Sequence, residues 1–386
     1  MSYMADRVSS FGTTIFFEMT SLANQHQAVN LGQGFPDFAG PDFIKDAAVQ
    51  AVQGDINQYA PGIGLANIRA AIASKMERQY GMIVDPQTEI TVTHGATEAI
   101  FATVMGLVNP GDEVVIFEPF YDSYVPSVQM AHGIPRIYTL RPPNWEIDPD
   151  QLEALFSDKT KMVMINTPHN PTGKVFSREE LQLIADLCQK YDVIAMADEV
   201  YEHIIFDDEQ HICIATLDGM ADRTVTISSA GKTFSVTGWK TGWVIAKPEI
   251  NQAAFRSSQF IIYSGVTPMQ HAVGVALETA DDYYTDLATM YQENRDFLAD
   301  ILAEVGLNPI VPKGTYFMMT DISHLGFADD RAFCRHLTTE VGVAAIPPSA
   351  FYINPADGAT LARFAFCKTK ETLEEAGQRL LKLKAM

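Results

Sequence analysis

The sequence predicts an α/β protein built on a mainly parallel sheet, followed by a smaller α+β unit. Short, almost wholly apolar runs recur at Ile90–Thr93, Glu113–Phe117, Met162–Ile165, Val193–Ala197, Thr224–Ile227 and Trp243–Ala246. Strands buried on both faces read this way, whereas strands with one wet face alternate apolar and polar residues. Amphipathic stretches separate the runs, and strand–helix–strand repetition is the pattern of a layered α/β domain. Near Asp281 the texture changes, which places a second unit beyond it.

Among the connecting helices, Ser177–Lys190 is the clearest. Ser177 and Glu180 have the spacing of a capping box, and Leu181, Ile184, Ala185 and Cys188 fall on one helical face. Beyond Asp281, a charged helical stretch (Tyr284–Glu304) leads to short strands around Thr315–Asp321 and Ala362–Cys367, with a helix over Arg331–Glu340 between them. The N-terminal segment is expected to join this second unit.

The chain has 386 residues, more than one ordinary core organises, and 47% are hydrophobic, as in a folded globular protein. A formal charge of −21 argues against nucleic acid, whose phosphates call for Lys and Arg, and against an anionic membrane surface. The 4 cysteines lie far apart without a C-x-x-C pair, so neither a zinc site nor a disulfide framework is expected, and no metal is assigned. From Met1 to Asn24 no basic stretch precedes an apolar run, and no long apolar span follows, so a cytoplasmic protein is expected.

In open α/β sheets, ligands bind beyond the carboxyl ends of the strands. Here successive strand ends carry chemically able residues. After Ile90–Thr93 comes His94-Gly95-Ala96-Thr97-Glu98, small residues opening a helix. Free amides at such a terminus can hold a phosphate, and a tight turn with no ligand reads the same. After Glu113–Phe117, Phe120 and Tyr121 set rings at the strand exit, able to stack on a flat ligand or to pack in the core. The loop Asn166-Thr167-Pro168-His169-Asn170-Pro171-Thr172-Gly173 is rigid turn chemistry in which Asn170 could donate to a ligand oxygen.

After Val193–Ala197 comes Asp198-Glu199-Val200-Tyr201. An acid continuing an apolar strand calls for a partner, because an unpaired buried charge is expensive. The last motif is Ser228-Ser229-Ala230-Gly231-Lys232-Thr233, with Lys240 and Gly242 downstream. A Lys just past a buried strand is placed for a lowered pKa and amine nucleophilicity. It does not fit G-x-x-x-x-G-K-[ST], since Thr226 stands where the first Gly would be.

Taken in order, these motifs resemble the fold-type I aminotransferases, classes I and II, along nearly the whole chain, from Asn30-Leu31-Gly32-Gln33-Gly34-Phe35-Pro36-Asp37 to Arg363. Within that superfamily the look is closest to the methionine aminotransferases and kynurenine–glutamine transaminases, which share Asn57-Gln58-Tyr59, the Asn-Pro-Thr-Gly loop, Asp-Glu-Val-Tyr and Ser-x-Gly-Lys-Thr-Phe. The resemblance implies a mainly parallel seven-stranded sheet in a large pyridoxal-phosphate domain (41–280), and a small domain built from 1–40 and 281–386. It also implies a homodimer with shared active sites.

The resemblance implies a role for each site residue. Lys232 forms the Schiff base with pyridoxal 5′-phosphate and shuttles the proton; Asp198 faces the pyridine nitrogen; Tyr201 and Asn170 reach the ring hydroxyl; Tyr121 stacks on the ring. The phosphate is held by Gly95, Ala96, Thr97, Ser229 and Lys240, and by Tyr59 across the dimer. The substrate carboxylate meets Arg363, with Gly34 and Asn170 beside it. On the residues alone, Arg363 reads as an Arg exposed at a strand edge. The expected reaction moves the amino group of a neutral amino acid to a 2-oxo acid, with methionine favoured over aromatic donors, kynurenine and glutamine. Thr14–Phe17 and Phe260–Tyr263 are the candidate side-chain pocket. A carbon–sulfur β-lyase and a dicarboxylate (aspartate) aminotransferase are the alternatives on the same fold.

Overall fold

The structure is a computed structural model that describes residues 3–9 and 11–385. Met1, Ser2 and Ser10, which belong to the N-terminal stretch read for a targeting signal, lie outside the described residues, as does Met386. Near the N-terminus, a helix over Ile15–His26 leads into a short strand, β1 (Val29–Asn30).

The main sheet follows. Its strands are β2 (Ile90–Thr93), β3 (Glu113–Glu118), β4 (Ile134–Thr139), β5 (Thr160–Asn166), β6 (Ile194–Asp198), β7 (Thr224–Ser229) and β8 (Gly242–Ile245). They form a 7-stranded sheet in the order β2-β8-β7-β6-β5-β3-β4. All neighbours run parallel except β8, which is antiparallel to both β2 and β7. β2, β3, β7 and β8 are buried at every position, the two-faced burial that their apolar runs predict.

Within the main sheet, the strand unforeseen in the sequence is β4. It reads Ile-Pro-Arg-Ile-Tyr-Thr and lies at the sheet edge, with most of its positions exposed or half-buried. An edge strand tolerates Pro and a charge because one flank needs no ladder bonds, so it lacks the apolar signature. The helix at Arg178–Tyr191 has the predicted capping box: Ser177 Oγ accepts from Glu180 N at 3.2 Å and Glu180 Oε2 accepts from Ser177 N at 3.0 Å.

Toward the C-terminus, a helix over Asp281–Glu304 begins three residues before the expected Tyr284. β9 (Asn308–Ile310), β10 (Phe317–Asp321) and β12 (Leu361–Ala365) form an antiparallel sheet in the order β12-β10-β9, and β11 (Val343–Ala344) pairs in parallel with β1. The register is Val29↔Val343 and Asn30↔Ala344, so a strand near the N-terminus pairs with one near the C-terminus. The helix anticipated over Arg331–Glu340 is α-helical only from Asp330 to His336 and widens into a π-turn over Leu337–Val341. One apolar core packs Ile15, Met19 and Leu31 with Tyr291, Phe317, Phe333 and Phe364, and reaches Val200, Tyr201 and Ile204 just past β6. Among the described residues, no helix is long and apolar enough to cross a membrane, and no His/Cys/Asp/Glu group is arranged to hold a metal.

Candidate active site

The carboxyl ends of β5, β6 and β7 open into a cavity of about 240 Å³. Every site residue singled out in the sequence lines it except Tyr59. Lys232 comes from the short helix Ala230–Thr233, directly after β7. Its ammonium lies 3.4 Å from the carbonyl of Gly34 and 5.7 and 5.6 Å from the ring centres of Tyr201 and Tyr316. Burial lowers its pKa to about 8, and the charges of Arg363 and Lys240 push the same way against the pull of Asp198. A buried primary amine near neutrality is a competent nucleophile and proton carrier.

Asp198 ends β6 and faces the same space. Burial raises its carboxyl to about 6, while Tyr124, whose hydroxyl donates to Oδ2 at 2.7 Å, partly holds the ionised form. Asn166, its register partner at the end of β5, donates from Nδ2 to the Asp198 carbonyl at 2.8 Å. Asn166 Oδ1 accepts from the backbone N–H of Asn170 at 2.6 Å, so two strand ends and the following loop form one hydrogen-bonded unit. Tyr201 is buried, edge-on to Tyr316 at 5.2 Å, and burial drives its phenol well above the ordinary range. Tyr121 reaches Thr97, hydroxyl to hydroxyl, at 3.3 Å, and burial raises its pKa to about 12.

At one end of the cavity, Gly95 caps the helix Ala96–Leu107 with φ of +80°, a left-handed conformation that glycine adopts without strain. A Cβ at Gly95 would sit 3.2 Å from Lys240 Nζ, so the ammonium rests directly against the turn. Ser229, the last residue of β7, lines the same cavity. A helix N-terminus with a Lys beside it is an anion site.

At the other end, Arg363 on β12 is 1% exposed, which corrects the strand-edge reading from its residues alone: the aromatic rings around it cover that edge. Nη2 donates to the Gly32 carbonyl at 2.8 Å, Nη1 to Asn170 Oδ1 at 3.2 Å, and Nε has no partner. The guanidinium stacks 4.1 Å from the Phe317 ring, with Phe351 and Phe16 at 5.2 and 5.3 Å. Burial lowers its pKa to about 10. A buried cation with an unused donor calls for an anion, and the planar fork suits a carboxylate. Gly34 is fixed by this packing, since a Cβ there would collide with the Phe317 ring at 2.5 Å, while its carbonyl accepts from Tyr316 at 2.7 Å.

Tyr59 stands apart. It is 84% exposed and lines a separate recess with Asn57, Gln58 and His94. Of the expected side-chain pocket, Phe16 lines the cavity, but Phe17 is exposed and the 260–263 segment stays outside it, with Phe260 at the surface. Tyr124, Asn166 and Phe317 join the site without having been singled out in the sequence. Tyr124 had a signal, being one helical turn beyond Tyr121 at the start of the helix Tyr124–Met130. Asn166 had the weaker one of directly following a predicted strand, Met162–Ile165.

A family model, "Aminotransferase class I and II", matches residues 26–380. The kynurenine–oxoglutarate transaminase of Dictyostelium discoideum is 43% identical, over 98% of this chain and 96% of its own length. The methionine aminotransferase of Escherichia coli K12 is 40% identical, over 98% and 97%. The solved structure of the Mycobacterium tuberculosis N-succinyldiaminopimelate aminotransferase superposes with a TM-score of 0.96 at 45% identity, covering 98% of this chain and all of that one. With the ordered site motifs on this fold, these matches establish that the chain belongs to the class I and II aminotransferases.

Proposed function

We propose that the cavity binds pyridoxal 5′-phosphate and that the enzyme moves the amino group of a neutral amino acid to a 2-oxo acid, with methionine favoured and aromatic amino acids, kynurenine and glutamine as further donors. The observation that carries this reading is the Lys232 amine sharing one cavity with Asp198 and with Arg363, whose Nε is unpartnered. The lining fits the cofactor: the Gly95 turn with Lys240 and Ser229 suits a phosphate, and a buried acid suits a ring nitrogen that carries a proton.

When bound, pyridoxal phosphate supplies an electron sink for charge released at the substrate Cα. Asp198 would hold the ring nitrogen protonated, helped by Tyr124, whose hydroxyl donates to Oδ2. Tyr201 and Asn170 would hold the ring oxygen, and Tyr121 would pack against the ring. Gly95, Ala96, Thr97, Ser229 and Lys240 anchor the phosphate, with Tyr59 contributed by a second subunit of a homodimer. Arg363 fixes the substrate carboxylate beside Gly34 and Asn170, which presents the Cα proton to the Lys232 amine. Residues 41–280 act as the cofactor-binding domain, and 1–40 with 281–386 as the small domain, a division supported by the pairing of β1 with β11. The buried free thiols suit a reducing cytoplasm.

The substrate class rests on the charge of the lining. Among the described residues, the Lys and Arg that line the cavity are Lys232, Lys240 and Arg363, each already with a role, and Arg256 is exposed away from it. A distal carboxylate buried here would lack a partner, whereas Phe16 offers a thioether or aromatic ring apolar contact. The relatives above are named as transaminases, which does not favour a carbon–sulfur β-lyase. A half-reaction screen of the twenty amino acids against the cofactor-loaded protein tests the reading. Methionine should lead, and aspartate or glutamate ahead of it by about tenfold, the discrimination of roughly one good polar contact, would return the enzyme to the dicarboxylate branch.

A further inference from the structure

Behind the wall that carries Asp198 and Tyr201 lies a second buried polar group, none of whose members faces the cavity. Its centre is Glu202, in the turn directly after Tyr201. Glu202 Oε2 accepts from Lys75 Nζ at 2.5 Å and from the Tyr80 hydroxyl at 2.6 Å, and Oε1 accepts from Ser228 Oγ at 2.7 Å. Lys75 is 2% and Glu202 5% exposed. Lys75 and Tyr80 come from the helix Ala66–Tyr80, and Ser228 from β7.

Stability alone does not account for this pair. Desolvating two charges offsets most of their attraction, and apolar replacements of similar volume are often neutral or stabilising. What the group supplies is direction. Tyr201 and Glu202 are adjacent, yet Tyr201 lines the cavity and Glu202 points away from it. Ser229 and Ser228 divide in the same way, as successive strand residues do. The Ser228–Glu202 bond therefore ties together the backs of two segments whose fronts are Tyr201 on one side and Ser229, with Lys232 just beyond, on the other. The turn is further pinned by Glu199 N donating to the Ile227 carbonyl at 2.8 Å and by Ile204 N donating to the Tyr201 carbonyl at 2.8 Å.

The geometry points to Lys75, Glu202 and Ser228 as positioning residues that set Tyr201 against Lys232 and Ser229 from behind the cavity, an inference that rests on the cofactor reading above. Three directional bonds hold Glu202, and Lys75 anchors it to a helix outside the sheet. Loosening the tie lets Tyr201 drift from the ring oxygen it is proposed to hold. That oxygen then keeps its proton more strongly, because a donor that favoured its ionised form is withdrawn.

The test uses the full-length, cofactor-loaded protein and three variants: Ser228→Ala, which cuts the cross-tie and keeps the ion pair; Ser228→Thr, which keeps the hydroxyl; and Lys75→Met/Glu202→Leu, which removes both charges at similar volume. The pH midpoint of the visible absorbance should rise by about half a unit or more in Ser228→Ala and the double variant. Their kcat should fall by about tenfold with KM little changed, as for a misplaced contact. Ser228→Thr should restore both. A wild-type midpoint and kcat in Ser228→Ala would overturn the inference, whatever happens to its melting temperature. Should the double variant not fold, the Ser228 pair alone decides the matter. A wild-type protein that binds pyridoxal phosphate without visible absorbance or transamination would instead overturn the functional reading itself.

Discussion

Asn170 Oδ1 accepts a hydrogen bond from Arg363 Nη1 at 3.2 Å, joining the loop after β5 to β12 of the C-terminal sheet. The same Asn170 is tied through Asn166 to Asp198. The group proposed to grip the substrate carboxylate and the group proposed to face the ring nitrogen thus belong to one continuous network, which crosses between the two sheets. On the proposed roles, substrate binding and cofactor orientation would share this frame.

Arg363→Lys should separate the two functions. The planar fork becomes a point charge, and a Lys cannot keep the bonds to Gly32 and Asn170 while also reaching a carboxylate. Losing one charge-assisted bond is worth about 1.5–3 kcal/mol, so KM for both amino and 2-oxo acid should rise by roughly ten- to a hundredfold. The visible absorbance of the loaded protein should stay close to wild type. An unchanged KM would remove Arg363 from the carboxylate site.

Lys232 makes two predictions from one burial. Lys232→Ala should abolish the visible absorbance of the loaded protein, and borohydride reduction with peptide mapping should find the label on Lys232 and not on Lys240 or Lys247. The apo protein should also carry a pH signature. The folded pKa of about 8 lies below the ordinary lysine value of 10.5, so between these pH values the unfolded chain binds more protons and stability rises with pH. Below pH 8 the penalty is complete, an upper bound of about 3 kcal/mol from the size of the shift. Apo Lys232→Met should therefore be more stable than wild type at pH 7, with the difference closing by about pH 10. Equal urea midpoints at pH 7 would contradict this.

Asp198→Ala should retain cofactor, because the phosphate anchors are untouched, but lose turnover by about a hundredfold or more, the usual scale for removing a preorganised electrostatic partner. Asp198→Asn should be gentler, since a neutral partner remains. Tyr124→Phe should show a smaller loss of the same kind, as its hydroxyl donates to Oδ2. Near-native turnover in Asp198→Ala, measured at saturating cofactor, would detach Asp198 from the ring nitrogen.

What is legible in the sequence follows burial. Strands buried on both faces announce themselves as apolar runs, and cavity-lining residues stand where those runs stop, so the residue pattern alone picks out Asp198, Asn170 and Lys232. β4 is not legible because an edge strand with Pro135 and Arg136 carries no such run. Phe317 is not legible because its role depends on a long-range partner, the Arg363 guanidinium 4.1 Å away on the next strand. The burial of Arg363 itself needs Phe16 and Phe351, brought in from distant parts of the chain. The 260–263 segment misleads because its apolar residues look outward rather than into the cavity.

Tyr59 is 84% exposed, with its ring edge-on to Tyr263 at 5.5 Å, and Phe260 is 88% exposed nearby in sequence to Tyr263. Ile261 and Ile262 line an apolar groove with His94, Thr97 and Lys240, bordering the phosphate end of the cavity. Large exposed aromatic groups beside a functional site mark a protein interface. A homodimer that covers this face would bring each Tyr59 toward its partner's phosphate anchors. Sedimentation should find a dimer at assay concentrations. Tyr59→Phe should keep the dimer and weaken pyridoxal phosphate binding by about tenfold, the worth of one hydrogen bond to a charged group. Phe260→Asp puts a charge into the covered face, so dimer and activity should be lost together while the helical signal by circular dichroism persists. A fully active monomer, from the wild type or from Phe260→Asp, would show that each site is complete within one chain and that Tyr59 has no part in it.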